Sequence, residues 1–254
     1  MSQRLRVCIV AGLRGIARIP RGDTTDLLVL PDLSRELCDP SGIHGRQRAA
    51  HPVLDMLRDG RIACRCTVII PAIRMIDAGG KHAMCMLALD ASGAIIGQHV
   101  LMCGLSDEGV SGQSGHGSQY ELNKKPLIVV DAPAGRIGLC SGHGLASAMH
   151  CRLTAQTGAE ILVLAGAGRW PESGEQRSVL NRARAIETGA YVIAPAGGGI
   201  DQEIMLVDPW GRVLGRVSDD VETVVFDLAL VRGARCRLPA LEHDRPFQLM
   251  NDSV

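Results

Sequence analysis

Residues 158–170, GAEILVLAGAGRW, with 182–199, RARAIETGAYVIAPAGGG, and 204–215, IMLVDPWGRVLG, carry the pattern that sets the architecture. Gly158 sits where a C-cap would end a helix over Leu145–Thr157, and the chain then enters an apolar strand, Glu160–Ala165. A second helix is expected over Ser173–Thr188, followed by strands Ala190–Ala196 and Glu203–Asp208. Pro209, Trp210 and Gly211 separate that last strand from Arg212–Arg216, which is hairpin punctuation. Working outward, the same alternation predicts strands at Arg4–Ala11, Asp26–Leu30, Cys66–Pro71, Ala83–Asp90, Ala94–Cys103, Pro126–Asp131, Arg136–Leu139 and Glu222–Asp227, and a helix at Arg46–Asp59. Ala91, Ser92 and Gly93 mark a second hairpin. Strands alternating with helices give an α/β fold, and the two hairpins call for mixed sheets rather than a doubly wound parallel one. One domain over residues 1–254 is expected.

Of the 254 residues 46% are hydrophobic and 21% charged, enough apolar material for a sizeable core. Lysine plus arginine equals aspartate plus glutamate, 27 each, so no basic field recommends a nucleic acid or an anionic membrane as partner. The opening MSQRLRVCIVAGLRG is charged and breaks at glycine, which suits neither a signal peptide nor a membrane span and leads to a cytoplasmic expectation. There the nine cysteines are expected as reduced, mostly buried thiols. Cys64 and Cys66 form a C-x-C, but no C-x-x-C occurs, and no metal is expected. Gly197–Ile200 is glycine-rich, yet neither a dinucleotide fingerprint nor a phosphate loop is present, so no cofactor is expected either.

The ordered set of motifs resembles the nitrilase (carbon–nitrogen hydrolase) superfamily. DLLVLPDL at 26–33, ALDASGAIIG at 88–97 and GRIGLC at 135–140 look like its first half. The segments at 158–215 and RLPALEHDRP at 237–246 look like its second. The resemblance implies an α-β-β-α sandwich, pairing with a second copy across helical faces, and a Glu–Lys–Cys triad that attacks a nitrile or amide carbon through a thiolate. Such chemistry needs a base to activate the thiol and a cationic partner for the developing charge.

The family's catalytic positions are altered here. The base falls on Asp32, one methylene shorter than glutamate; the lysine position is Leu101; the cysteine position is Gly142. Glu108 matches an auxiliary glutamate of the family. Cys140 lies two residues before the vacated cysteine position, and His99 two before Leu101, each on the same strand face as the position it precedes. Lys124 and Lys125 are off the expected strand. With Asp32, Glu108, His143 and Cys140 as candidate site residues, three readings follow. The first is a repurposed or vestigial pocket for a small nitrogen-containing molecule, amide- or nitrile-like, in which carboxylates and imidazoles could run acid–base chemistry. The second is an amide or nitrile hydrolase using Cys140 as a displaced nucleophile. The third is a non-catalytic subunit that pairs with an active paralogue. A small-molecule ligand and a homodimer or higher homo-oligomer are the expected partners.

Smaller readings complete the set. Ser141, His143 and Asp131 form a Ser-His-Asp arrangement on paper. Glu187 is expected to pair with Arg184 one helical turn away, Trp210 to pack in its hairpin, and His243 and Arg245 to lie on the surface or at an oligomer contact. The glycine- and serine-rich stretch 106–118 reads as a surface loop or a lid.

Overall fold

The computed structural model describes residues 3–16, 18–19, 25–31, 66–76, 82–100, 127–141, 148–165, 173–195, 203–217 and 221–243. The predicted helix at 46–59, the 106–118 stretch, and Asp32, Cys64, Leu101, Glu108, Lys124, Lys125, Gly142, His143 and Arg245 lie outside these residues.

Among the described residues, twelve strands form two six-stranded sheets. The first contains β1 (Arg4–Val10), β2 (Leu27–Val29), β3 (Thr67–Ile76), β4 (His82–Leu89), β5 (Ile95–Val100) and β12 (Val221–Asp227), in the order β12-β1-β2-β3-β4-β5. The second contains β6 (Ile128–Ala132), β7 (Gly135–Ser141), β8 (Ile161–Ala165), β9 (Tyr191–Ala194), β10 (Ile204–Val207) and β11 (Val213–Val217), in the order β11-β10-β9-β8-β7-β6. Each sheet is mixed: β1, β2 and β3 run parallel, as do β7, β8 and β9, and antiparallel strands flank both trios. Helices α1 (Gly12–Ile16), α2 (Ala148–Gln156), α3 (Gly174–Thr188), α4 (Leu228–Arg237) and α5 (Ala240–His243) complete the described elements.

Side-chain alternation sorts the core into three layers. Between the sheets, Val7, Ile9, Val29, Ile69 and Met86 meet Ile137, Leu139, Ile161, Val163 and Ile193. Outside the second sheet, Cys140, Leu162, Leu164 and Val192 pack against Cys151 and Ala185 of α2 and α3. Outside the first, Cys8, Leu28, Ile70, Cys85 and Leu87 gather with Ile16 of α1. Aromatics are scarce, and two of them bind the sheets together: Tyr191 of β9 stacks on Phe226 of β12 with centroids 4.0 Å apart. The Tyr191 hydroxyl also accepts from the Asp227 amide at 3.0 Å.

Local chemistry fixes the ends of these elements. Ser173 Oγ accepts the Gln176 amide at 3.2 Å to cap α3, and Gly189 closes it at φ 56°. The two predicted hairpins share one device. Asp90 Oδ1 accepts the amides of Ser92 and Ala94 at 2.8 and 3.0 Å, and Asp208 Oδ1 accepts those of Trp210 and Arg212 at 2.9 Å each. This is the Asx-turn chemistry that makes aspartate a turn residue. Glu187 and Arg184 are ion-paired at 2.9 Å across one turn of α3.

Candidate functional site

Cys140 is the penultimate residue of β7 and pairs with Leu164 of the parallel β8. Ile137 and Leu139 point between the sheets, so Gly138 and Cys140 face α2. Gly138 allows the helix to come close: a Cβ there would stand 2.5 Å from Thr154 Cγ2 and 2.9 Å from Leu162 Cδ2. One pleat further on, the Cys140 thiol donates to Thr154 Oγ1 at 3.7 Å. Thr154 has already given its own proton to the His150 carbonyl at 2.8 Å, the usual back-bond of a helical threonine. Cys151, one turn before Thr154 on the same buried face, completes the cage around a Cys140 side chain with 0% exposure.

The electrostatics of this cage are set by burial and by three neighbours, Cys151, His150 and Thr154. The Cys151 thiol donates to Cys140, burial opposes ionisation, and the hydrogen bond and charge of His150 favour it; the balance holds Cys140 below the ordinary thiol value. Cys151 is pushed the other way, first by giving its hydrogen bond to Cys140 and then by burial. His150 is raised by its hydrogen bond to Cys140 against the cost of burial. Both shifts run in the direction of a proton on His150 and its loss from Cys140.

A second imidazole reaches the cluster from the other sheet. On β5, Gly97 faces the second sheet, where a Cβ would meet Val130 Cγ2. His99 lies two residues on, on the same face, and the β6–β7 ladder ends at Ile128 opposite Leu139. Cys140 and Ser141 thus run past the last rung of β6. At this edge the His99 ring comes within 5.7 Å of the His150 ring, centroid to centroid, at a 55° tilt. His99 is 3% exposed, and among the described residues neither of its ring nitrogens has a hydrogen-bond partner; the same holds for His150 Nε2. Burial, then the charge of His150, brings His99 down to about 4, so it is a neutral imidazole at pH 7.

At the C-terminal ends of β5 and β7, His150 therefore faces the His99 ring on one side and hydrogen-bonds Cys140 on the other. Of the expected site residues, the structure places Cys140 here, linked through His150 to the His99 weighed with it. The Ser-His-Asp arrangement fails. Asp131 pairs with Arg136 at 2.8 Å beside the β6–β7 turn, five residues along β7 from Ser141, or roughly 16 Å. Sequence reasoning missed His150, whose placement depends on how α2 docks on β7. The available signal was the alternation that turns Gly138 and Cys140 toward a following helix. Among the described residues, no three histidine, cysteine or acidic side chains converge to hold a metal ion.

Comparison with known proteins places this geometry in context. The family profile described as carbon-nitrogen hydrolase matches residues 16–237. A human relative named deaminated glutathione amidase is 33% identical over 173 residues, covering 64% of this chain and 53% of that protein. The chain thus spans about half the length of that relative. Among solved structures, Saccharomyces cerevisiae Nit3, titled a member of branch 10 of the nitrilase superfamily, aligns with a TM-score of 0.66 at 16% identity over 93% of this chain and 95% of its own. XC1258 from Xanthomonas campestris, titled a CN-hydrolase superfamily protein, aligns with a TM-score of 0.70 at 17% identity over 97% and 99%.

Proposed function

Because the chain belongs to the carbon–nitrogen hydrolase family, the nitrilase superfamily, we propose that it keeps the family's small-molecule pocket for an amide- or nitrile-like nitrogen compound but does not form an acyl-enzyme by the family's thiol route. The observation that carries this reading is the enclosure of Cys140. The sulfur lies on the helix face of β7, held by Thr154 and Cys151 with no exposed surface, and in the register of the sequence resemblance the family's nucleophile and cation positions fall on Gly142 and Leu101. Loss of a nucleophile alone typically lowers turnover by roughly 10⁴- to 10⁶-fold, because triad members act as a unit. What is left for a ligand is acid–base and hydrogen-bonding chemistry from Asp32, Glu108 and His143 in the sequence, and from the neutral His99.

A second reading is favoured by one contact. His150 hydrogen-bonds Cys140, which supports a C–N hydrolase with Cys140 as displaced nucleophile and His150 as its base. One experiment separates the two. The chain is incubated with a panel of small amides and nitriles and followed by intact-mass spectrometry. The first reading expects no adduct, and expects the double variant Leu101→Lys/Gly142→Cys to gain one. A thioester or thioimidate on Cys140, with turnover lost in Cys140→Ala but kept in Cys151→Ala, establishes the second and removes the first.

The homodimer implied by the resemblance is also part of the proposal. Met149 and Leu153 of α2 and Val179 and Ile186 of α3 turn outward, 63%, 40%, 57% and 41% exposed. Exposed apolar side chains on the two outer helices support a helix-to-helix dimer contact. A cytoplasmic setting fits the thiol state of Cys140 and Cys151. Among the described residues no helix is long and apolar enough to cross a membrane.

A further inference from the structure

We propose that Cys140 and Cys151 are an oxidisable dithiol, a modification site in which hydrogen peroxide converts the pair to an intramolecular disulfide between β7 and α2. The geometry is that of two elements brought unusually close. Gly138 admits α2 against β7 at Thr154, and one pleat along the strand and one turn back along the helix the next facing pair is Cys140 and Cys151. The two thiols hydrogen-bond each other, and both are reduced in this structure. A strand–helix approach set by a glycine is the kind of spacing a disulfide needs, since the bridge requires Cβ atoms about 4 Å apart. Both sulfurs are fully buried, so the oxidant that fits is a small one.

The chemistry balances with the groups present. The Cys140 thiolate attacks one oxygen of the peroxide; an S–O bond forms, the O–O bond breaks, and the leaving hydroxide takes the His150 proton as water. Cys140 is now a sulfenic acid. The Cys151 sulfur then attacks the Cys140 sulfur; S–S forms, S–O breaks, and the departing hydroxide leaves as a second water with the proton from Cys151. Two thiols are oxidised by two electrons and one peroxide is reduced to two waters. His150 loses its thiolate counter-charge in the process, so oxidation also alters the imidazole that faces His99.

The test uses the intact, unmodified chain. Cleavage after Arg136 and Arg152 yields a peptide, 137–152, that contains Cys140 and Cys151 and no third cysteine. After hydrogen peroxide and then alkylation, this peptide is expected to carry no alkyl group and to be two hydrogens lighter, and to take two groups after dithiothreitol. In Cys151→Ala a dimedone probe is expected to trap sulfenic acid on Cys140. His150→Leu is expected to slow the reaction severalfold, because the Cys140 thiolate loses a hydrogen bond and counter-charge and the leaving hydroxide loses its proton donor. If peptide 137–152 still takes two alkyl groups under peroxide that oxidises the exposed Cys236, the dithiol proposal is overturned. Oxidation of each sulfur separately to sulfinic acid overturns it as well. Neither result bears on the amide and nitrile panel, so the two proposals fail independently.

Discussion

At the residue scale, His99 shows how burial converts a side chain into a pH-dependent contribution. Its ordinary value of 6.5 falls to about 4 in the folded chain, because the charged ring would lie in an apolar site next to His150. Between these values the unfolded chain binds a proton that the folded chain refuses. Stability is therefore lost as pH falls from 6.5 toward 4, by up to about 3 kcal/mol for this residue. His99→Leu removes the effect. Urea unfolding at pH 7 and pH 4.5 is expected to show the variant losing markedly less stability than the parent on acidification; parallel losses would show that His99 does not carry it. Cys140 was visible in the sequence as a strand residue one pleat short of the position that the resemblance gives to the nucleophile. That its partners are Cys151, Thr154 and His150 was not visible, because strand periodicity says which face a side chain takes and not which helix covers it.

At the element scale, the hairpins and the ends of α3 follow from local chemistry, and sequence reading located them. Asp90, Asp208, Ser173 and Gly189 act on amides within a few residues of themselves. Helix α4 was missed despite a comparable signal, Asp227 capping it through the Ala229 amide at 2.9 Å, because that aspartate also ends a strand and the strand pattern masked it. The contact of α2 with β7 is the element-level feature on which the site rests. Gly138→Ala would place a methyl 2.5 Å from Thr154 Cγ2 and 3.1 Å from Ala159 Cβ, and the helix must move away. Such overpacking is expected to cost about 1–3 kcal/mol in urea unfolding. The same variant is expected to slow disulfide formation between Cys140 and Cys151. Unchanged stability would mean that the strand and helix are not held at this distance.

For the whole molecule, the two sheets present their inner faces to each other and the second sheet carries α2 and α3 on its outside. Met149, Leu153, Val179 and Ile186 stand on the outward sides of those helices, among the polar Gln156, Glu175, Gln176 and Arg182. Size-exclusion chromatography with light scattering is expected to give twice the mass of one chain. Leu153→Glu with Val179→Glu is expected to halve it while leaving the thermal midpoint of the monomer within a few degrees. A parent chain that runs as a monomer would remove the dimer from the proposal, and larger assemblies that survive the double variant would place the contact elsewhere.

Fold class, mixed pairing, the positions of nearly all described strands and membership of the family were already legible from residues 158–215 and the motifs around them. These depend on periodicity, turn chemistry and motif order, all written locally in the chain. The meeting of His99, His150 and Cys140 was not legible. It joins an edge strand of one sheet, the end of a strand in the other and a helix behind that strand, so it exists only once both sheets have packed and Gly138 has let α2 approach. Separations of 51 and 10 positions along the chain become contacts through long-range packing, which no local pattern encodes.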